Sequence, residues 1–114
     1  MSERASREQS SLQPIAAHIW DSKYRQRSSD GTPLEATLDE TWARVAKAAA
    51  AVEVRDREVW ERRFLDAMRD LALLPAGRII AGAGSGRDVT LFNCFVMGEI
   101  GDDLGSIFDN VKEA

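Results

Sequence analysis

Apolar residues recur at spacings of three and four through residues 14–74, which is the pattern of amphipathic helices. The pattern predicts three helices. The first begins at Pro14, a residue that suits the first turn of a helix, and it ends at the turn-forming residues 28–33. Its apolar face is formed by Ile15, Ala16, Ile19, Trp20 and Tyr24.

The second and third helices have recognisable boundaries. Thr37 and Glu40 have the spacing of a capping box, in which each residue bonds the backbone N–H of the other. Asp56 can cap the third helix, and Pro75 stops it. We expect the core to contain Leu38, Trp42, Val45, Ala46, Ala49 and Val52 from the second helix and Val59, Trp60, Phe64, Ala67, Met68 and Leu71 from the third.

The pattern changes after residue 75. Residues 78–80 look extended, and residues 82–86 form a glycine-rich loop. Both sides of the segment 89–97 are largely apolar, so we predict a strand that is buried on both faces, as in a parallel sheet or a barrel. One side carries Thr90, Phe92, Cys94 and Val96, and the other carries Leu91, Asn93, Phe95 and Met97.

A last helix is predicted after Asp102, which can cap it; its apolar face holds Leu104, Ile107, Phe108 and Val111. A buried strand needs partners at both edges, and the sequence predicts no second strand, so we expect the chain to be a piece of a larger structure. The pattern thus divides the chain into a flexible arm at 1–13, a helical domain at 14–74 and a second unit at 75–114.

Composition narrows the functional class. The 114 residues are 44% apolar and 30% charged, which is ordinary for one globular domain. The net charge of −4 argues against a nucleic-acid partner, which requires a basic surface. No apolar run approaches the length of a membrane span, and the N-terminus lacks the apolar core of a signal peptide, so we expect no membrane partner.

A single cysteine and a single histidine limit the chemistry further. Cys94 cannot form a disulfide within this chain, which favours a reducing cytoplasm. Cys94 and His18 together are too few ligands for a zinc site, so we expect no metal site.

The glycine-rich loop is a weak match to a nucleotide-binding motif. A dinucleotide fingerprint that uses Gly82 and Gly84 would need a third glycine where Arg87 stands, and it should open a helix rather than precede a strand. The interpretation favoured by spacing alone is a mobile connection between two buried segments.

Cys94 permits two interpretations from the residues alone. A lone cysteine in an apolar strand is more often packing material than a reactive thiol. Asn93 beside it, however, is polar and needs hydrogen-bond partners, which a substrate could supply. A redox role for Cys94 would require a second sulfur from outside this chain.

Longer motifs carry a resemblance to a known family. LPAGRIIAGAG followed by TLFNCFVMGEIGDDLGSIFD resembles the N-terminal region of adenosylcobalamin-dependent (class II) ribonucleotide reductases, as do IWDSKYR and DETWARVAKAAAAVE. The resemblance implies a mainly α fold. A domain of about three helices would be followed, in residues 75–114, by the first strand and helix of an incomplete ten-stranded α/β barrel that is catalytic in the whole enzyme.

The resemblance also implies roles for individual residues. Cys94 matches the first of the two reducing cysteines, whose thiols become a disulfide when a ribonucleotide is reduced. Asn93 matches a residue against the substrate, and the backbone at Ala76 and Gly77 matches a segment that lies along it. Asp102 matches the acidic residue that holds the sugar of an allosteric deoxynucleotide at a dimer interface.

The implied cofactor and partners lie mostly beyond this chain. The resemblance implies adenosylcobalamin, with its contacts outside this chain, a ribonucleoside diphosphate substrate, a deoxynucleotide effector, the remainder of the reductase and a homodimer. The radical cysteine and the second reducing cysteine of the family are missing, so we expect the isolated chain to be an inactive, truncated or split part of the enzyme.

Two other functions remain open. The chain could be a non-catalytic interaction module that docks its last helix and strand edge on a reductase subunit. It could also be a free-standing helical protein in which Cys94 only packs.

Overall fold

The computed structural model describes residues 12–113, and these residues form five helices and no regular strand. The mainly α fold class is therefore confirmed, and β pairing in this part of the chain is limited to an isolated bridge between Arg27 and Pro33. Most of the predicted flexible arm at 1–13 lies outside the described residues. The helices are α1 (Pro14–Ile19), which continues into a π-helical turn (Trp20–Tyr24), α2 (Leu38–Ala50), α3 (Arg57–Arg69), α4 (Gly77–Gly82) and α5 (Leu104–Glu113).

The capping box predicted before α2 is present. The Glu40 N–H donates to Thr37 Oγ1 at 3.3 Å, and the Thr37 N–H donates to Glu40 Oε2 at 3.1 Å. Two backbone donors that a helix start leaves unpaired are thereby satisfied.

The predicted cap of α3 is different. Asp56 has a left-handed backbone with φ of 55° and makes no side-chain capping bond. Its backbone carbonyl instead accepts the Trp60 N–H at 3.0 Å. Short polar residues such as aspartate tolerate this backbone region. The sequence therefore predicted the start of the helix correctly, but Asp56 does not cap it with its side chain.

The core lies where α2, α3 and α4 meet. Its buried members are Trp42, Val45, Ala46, Met68 and Ile80, with Tyr24, Leu38, Phe64, Leu65 and Ile79 packed around them. The closest association is that of α2 with α3, and α4 packs against α2 and the π-helical turn. Ala46 is 0% exposed, and its small side chain permits the close approach of neighbouring helices.

Some predicted core positions are on the surface. Ala49 and Val52 are exposed, and Ala50 is buried in place of Ala49. Val59 and Leu71, assigned to the face of the third helix, are also exposed. α2 ends at Ala50 and α3 at Arg69, so Val52 and Leu71 lie beyond the helices whose faces they were expected to complete.

The prediction that residues 78–80 are extended is wrong, because they belong to α4. The N–H groups of Ile79 and Ile80 both donate to the carbonyl of Ala76, which starts the helix directly after Pro75. Ile80 is buried in the core. Tertiary packing therefore overrides the modest helix propensity of two β-branched residues.

The prediction of a buried strand at 89–97 is also wrong for the described residues. Phe92 is 71% exposed, Val96 is 100% exposed and Cys94 is exposed. A strand buried on both faces requires hydrogen-bonded neighbours, and residues 12–113 supply none. No barrel strand is formed in residues 12–113.

The predicted last helix is present as α5, with a different cap. The Ser106 N–H donates to Asp103 Oδ1 at 2.8 Å, so Asp103 rather than Asp102 caps the helix. The Gly101 N–H donates to Ser106 Oγ at 2.7 Å and tightens the same turn. The predicted apolar face is exposed along Leu104, Ile107, Phe108 and Val111. None of the helices in residues 12–113 is long and apolar enough to cross a membrane.

Candidate functional site

Two of the motifs singled out in the sequence meet in the structure. The Arg78 N–H, in the first turn of α4, donates to Asn93 Oδ1 at 3.4 Å. This bond joins the segment of Ala76 and Gly77 to the segment of Asn93 and Cys94 across 15 residues of sequence. The structure thus places Asn93 beside the first turn of α4, which follows Ala76 and includes Gly77.

The segment after α4 presents alternate side chains to that helix. A Cβ placed at Gly82 would lie 2.9 Å from Val89 Cγ2 and 3.1 Å from Leu91 Cδ2. Asn93, two residues further on, bonds the first turn of the same helix. Residues 89, 91 and 93 therefore face α4, so the predicted alternation is present locally although no strand forms.

Cys94 follows Asn93 directly in this segment. It is a free, exposed thiol, whereas the sequence predicted burial within a strand. An exposed thiol is accessible to a second sulfur from another part of a larger protein, which a redox role requires.

Asp102 comes eight positions after Cys94 in the chain and lies just before α5. It is exposed, and Asp103 performs the capping role expected of it. Among residues 12–113, the hydrogen bond of Asn93 is with the start of α4 and not with Asp102.

The start of α4 is held by close packing on Tyr24. A Cβ at Gly77 would lie 3.0 Å from Tyr24 Oη and 3.4 Å from Tyr24 Cε1. Gly77 is therefore the residue that lets the π-helical turn approach this backbone. The sequence did not predict this contact, because Tyr24 and Gly77 are 53 positions apart.

Sequence reasoning missed a buried polar cluster formed by Trp20, Glu35, Thr41 and Arg44. Glu35 is 6% exposed and Thr41 is 0% exposed. Arg44 Nε donates to Glu35 Oε2 at 3.0 Å, and Thr41 Oγ1 donates to Glu35 Oε1 at 3.0 Å. Trp20 Nε1 donates to Thr41 Oγ1 at 2.9 Å. A buried carboxylate with this many donors is well compensated.

The polar cluster reaches α4 through Arg44. Its Nη2 donates to the carbonyl of Ile80 at 2.7 Å and its Nη1 donates to the carbonyl of Ala83 at 2.6 Å. These carbonyls lie at the C-terminal end of α4, where a helix leaves acceptors without intrahelical partners. Glu35 and Arg44 form no recognisable motif, so the sequence carried no signal for their pairing.

The glycine-rich loop packs on α2 rather than standing free. Gly84 has φ of +70°, and a Cβ there would lie 3.1 Å from Arg44 Cγ and 3.2 Å from the Arg44 carbonyl oxygen. The predicted mobile connection is therefore in close contact with α2 at Gly84.

Two carboxyl groups with lowered pKa values lie in the turn region before α2. Hydrogen bonding from Arg25 holds the pKa of Asp21 below its usual range, and the charge of Arg27 contributes. The hydroxyl of Ser28, together with the Thr32 N–H, lowers the pKa of Asp30 to about 2. Both carboxyls are in structural contacts, and neither belongs to the segments of Gly77 or Cys94.

The described residues do not fit a metal or a cobalamin. No group of three or more His, Cys, Asp or Glu side chains among residues 12–113 could hold a metal ion. An apolar groove of about 500 Å³ lies beside Gly77, lined mainly by Trp20, Trp42, Leu74, Pro75 and Ile80. A corrinoid carries many amide groups that need hydrogen-bond partners, and this groove offers few.

Comparison with known families agrees with the helical part of the chain. Residues 10–88 match the family model described as ribonucleotide reductase, all-alpha domain. The matched range includes α1 to α4 and the buried polar cluster, and it ends before Asn93 and Cys94. Searches of curated proteins and of solved structures each found no significant match. Since the matched range is more than half of the sequence, the chain belongs to the ribonucleotide reductase all-alpha domain family.

Proposed function

We propose that this chain is the N-terminal part of an adenosylcobalamin-dependent ribonucleotide reductase that converts ribonucleoside diphosphates to deoxyribonucleotides for DNA synthesis. Membership of the all-alpha domain family supports a reductase origin. The observation that carries the proposal further is the hydrogen bond between the Arg78 N–H and Asn93 Oδ1, because it joins the two motifs to which the family resemblance assigns substrate contacts.

Cys94 acts in this proposal as one of two reducing thiols. Reduction removes the 2′ hydroxyl of the ribose as water and replaces it with hydrogen, and it consumes two electrons. Two thiols supply those electrons and become one disulfide, so atoms and electrons balance. Since Cys94 is the only cysteine in the sequence, its partner thiol belongs to another part of the reductase.

The other candidate residues position the nucleotides. The backbone at Ala76 and Gly77 lies along the substrate, and Asn93 contacts it through its side-chain amide. Asp102 holds the sugar of a deoxynucleotide effector, and α5 packs in a homodimer. The exposed apolar face of α5 supports a packing role, because apolar surface of this kind gains free energy when a partner covers it.

Adenosylcobalamin supplies, when bound, the radical that starts the reaction. The groove and the titratable groups of residues 12–113 do not suit it, so we assign its contacts to the remainder of the reductase. The isolated chain is accordingly inactive. A protein with a reduced thiol and a part in deoxyribonucleotide synthesis belongs in the cytoplasm.

The proposal is tested with the reductase that contains this chain, supplied with a dithiol reductant. We expect turnover of a ribonucleoside diphosphate that requires adenosylcobalamin. Turnover without the cofactor would contradict the class, and a strict preference for triphosphates would contradict the substrate. Cys94→Ser should abolish dithiol-dependent turnover and leave deoxynucleotide binding intact, whereas retained turnover would remove Cys94 from the reaction.

A second candidate function is a non-catalytic interaction module. The observation in its favour is the exposed apolar surface of residues 92–96 and α5, which includes Phe92 at 71% and Phe108 at 67% exposure. A pull-down with this chain separates the two functions. Stoichiometric capture of a complete second reductase subunit, without turnover that depends on Cys94, favours the module, and failure to capture it contradicts the module.

A further inference from the structure

The C-terminal end of α4 is capped by a side chain from another helix. α4 has only six residues, and a helix this short gains little stability from its own hydrogen bonds. Arg44 of α2 donates to the carbonyls of Ile80 and Ala83 at 2.7 and 2.6 Å. The end of α4 is thus tied to α2 by two charge-assisted hydrogen bonds.

Arg44 is itself held in one orientation by Glu35. The bond from Arg44 Nε to Glu35 Oε2 measures 3.0 Å, and the two side chains are 12% and 8% exposed. The Gln26 N–H and the Thr41 hydroxyl donate to Glu35 Oε1 at 2.9 and 3.0 Å, which fixes the carboxylate. A guanidinium can serve one carboxylate and two carbonyls at once because its donors diverge from a rigid plane, which a lysine ammonium does not reproduce.

Gly84 extends the same attachment beyond the helix. Its φ of +70° and its close approach to Arg44 Cγ and the Arg44 carbonyl seat the glycine-rich loop against α2. A side chain at this position would have to displace Arg44 or move the loop away.

The opposite end of α4 carries the proposed substrate contacts. Six helical residues span roughly 9 Å, so a shift at the Arg44 end moves the first turn as well. That turn contains Gly77, packed on Tyr24, and Arg78, whose N–H holds Asn93.

We propose that Arg44, oriented by Glu35, is a positioning residue that fixes α4 and thereby places the Ala76–Gly77 backbone and Asn93 for substrate binding. The placement of α4 stands on the geometry alone, whereas the consequence for substrate rests on the proposed function. The two parts therefore have separate measurements.

The first measurement is amide hydrogen exchange on the full chain, with Arg44→Lys compared with Arg69→Lys. Arg69 also pairs with a carboxylate, that of Asp39, and this ion pair joins α3 to α2. We expect Arg44→Lys to speed exchange of the Ile80 and Ala83 amides at least tenfold relative to those of α3, and Arg69→Lys to leave them within twofold. Unchanged exchange of Ile80 and Ala83 in Arg44→Lys would overturn the proposal.

The second measurement is the kinetics of the reductase that contains this chain. Loss of folded protein lowers the apparent kcat and leaves KM unchanged, whereas misplacement of the substrate segment raises KM. We expect Arg44→Lys to raise KM for the nucleotide at least fivefold and Arg69→Lys to leave it within twofold. An unchanged KM in Arg44→Lys would overturn the positioning role.

A second variant keeps the test decisive if Arg44→Lys fails to fold. Gly84→Ala retains Arg44, but the added methyl group should push the Arg44 side chain away from the loop. It should therefore speed amide exchange in α4 and raise KM, as Arg44→Lys does. Normal exchange and KM in Gly84→Ala would contradict the proposal. If the wild-type reductase shows no turnover, the proposed function fails, and the exchange measurement still decides whether Arg44 fixes α4.

Discussion

Residues 12–88 and residues 89–113 differ in how far their side chains are buried: the first region contains a core, whereas no residue of the second is buried. The first region buries part of its apolar residues in one core, around Trp42, Met68 and Ile80, and it satisfies a buried carboxylate and guanidinium. The second region has as many apolar side chains for its length but leaves Phe92, Val96 and the face of α5 exposed. Its principal ties to the first region are the packing of Val89 and Leu91 on Gly82 and the bond of Asn93 to Arg78.

The difference shows where the candidate chemistry lies. Gly77 belongs to the self-contained region, whereas Asn93 and Cys94 belong to the region that buries little of itself. A reactive thiol in the second region can be covered or approached by other parts of a larger protein. The candidate residues are thus divided between a packed helical region and a segment whose apolar surface would gain from further contacts.

The largest expected effect comes from truncating a core aromatic residue. Trp42→Ala should lower the free energy of unfolding by about 3–5 kcal/mol, because it removes a 5% exposed side chain from the core. Phe92→Ala is the matched change in the second region and should cost less than about 0.5 kcal/mol. Denaturant unfolding followed by tryptophan fluorescence measures both, and equal losses would break the comparison between the regions.

The buried ion pair should have the next largest effect. Arg44→Met leaves Glu35 buried without its charge partner and should destabilise the fold by about 3 kcal/mol. Arg69→Met removes a more exposed pair with Asp39 and should cost at most about 1 kcal/mol. Combining Arg44→Met with Glu35→Leu should recover part of the loss in a thermal melt, and strict additivity of the two changes would contradict a buried pair.

Removing a helix cap should cost less stability, and the cost should again differ between the two regions. Thr37→Ala removes the capping box of α2 and should cost about 1 kcal/mol of global stability. Asp103→Ala removes the cap of α5, which is not packed in the core, so the main unfolding transition should not move. All three tryptophans of the sequence lie in the first region, so their fluorescence reports that region alone. A shift of the transition by Asp103→Ala would show that α5 contributes to the same cooperative unit.

The smallest effect concerns Asp30, whose pKa is lowered to about 2 by the Ser28 hydroxyl and then by the Thr32 N–H. Because this pKa lies below the ordinary value of 3.8, ionised Asp30 favours the folded state above about pH 4. That contribution is lost as the pH falls towards 2. Ser28→Ala should raise the pKa of Asp30 towards its ordinary value in an NMR titration, and an unchanged value would contradict the assigned cause.

The sequence predicted those features that depend on local interactions. Parts of the predicted faces of α2 and α3, and the capping box at Thr37, follow from spacings within a few residues and are present in the structure. The alternation after residue 89 was also informative, since residues 89, 91 and 93 face α4.

The features that the sequence did not predict depend on distant contacts. Residues 78–80 were expected to be extended, and their helical form in α4 is accompanied by the hydrogen bonds from Arg44 and by packing in the core. The pairing of Glu35 with Arg44 has no local signature. The strand expected around Cys94 needs neighbouring strands, which no property of its own residues can supply.

The central claim is that Cys94 is a reducing thiol, and its oxidation state after a single turnover tests this most directly. The reductase that contains this chain is reduced, freed of dithiol and given one equivalent of ribonucleoside diphosphate with adenosylcobalamin. Thiols are then alkylated, and the peptide that contains Cys94 is analysed by mass spectrometry. We expect Cys94 to be protected from alkylation and linked by a disulfide to a cysteine outside this chain, in proportion to the deoxynucleotide formed. Full alkylation of Cys94 after product has formed would contradict it.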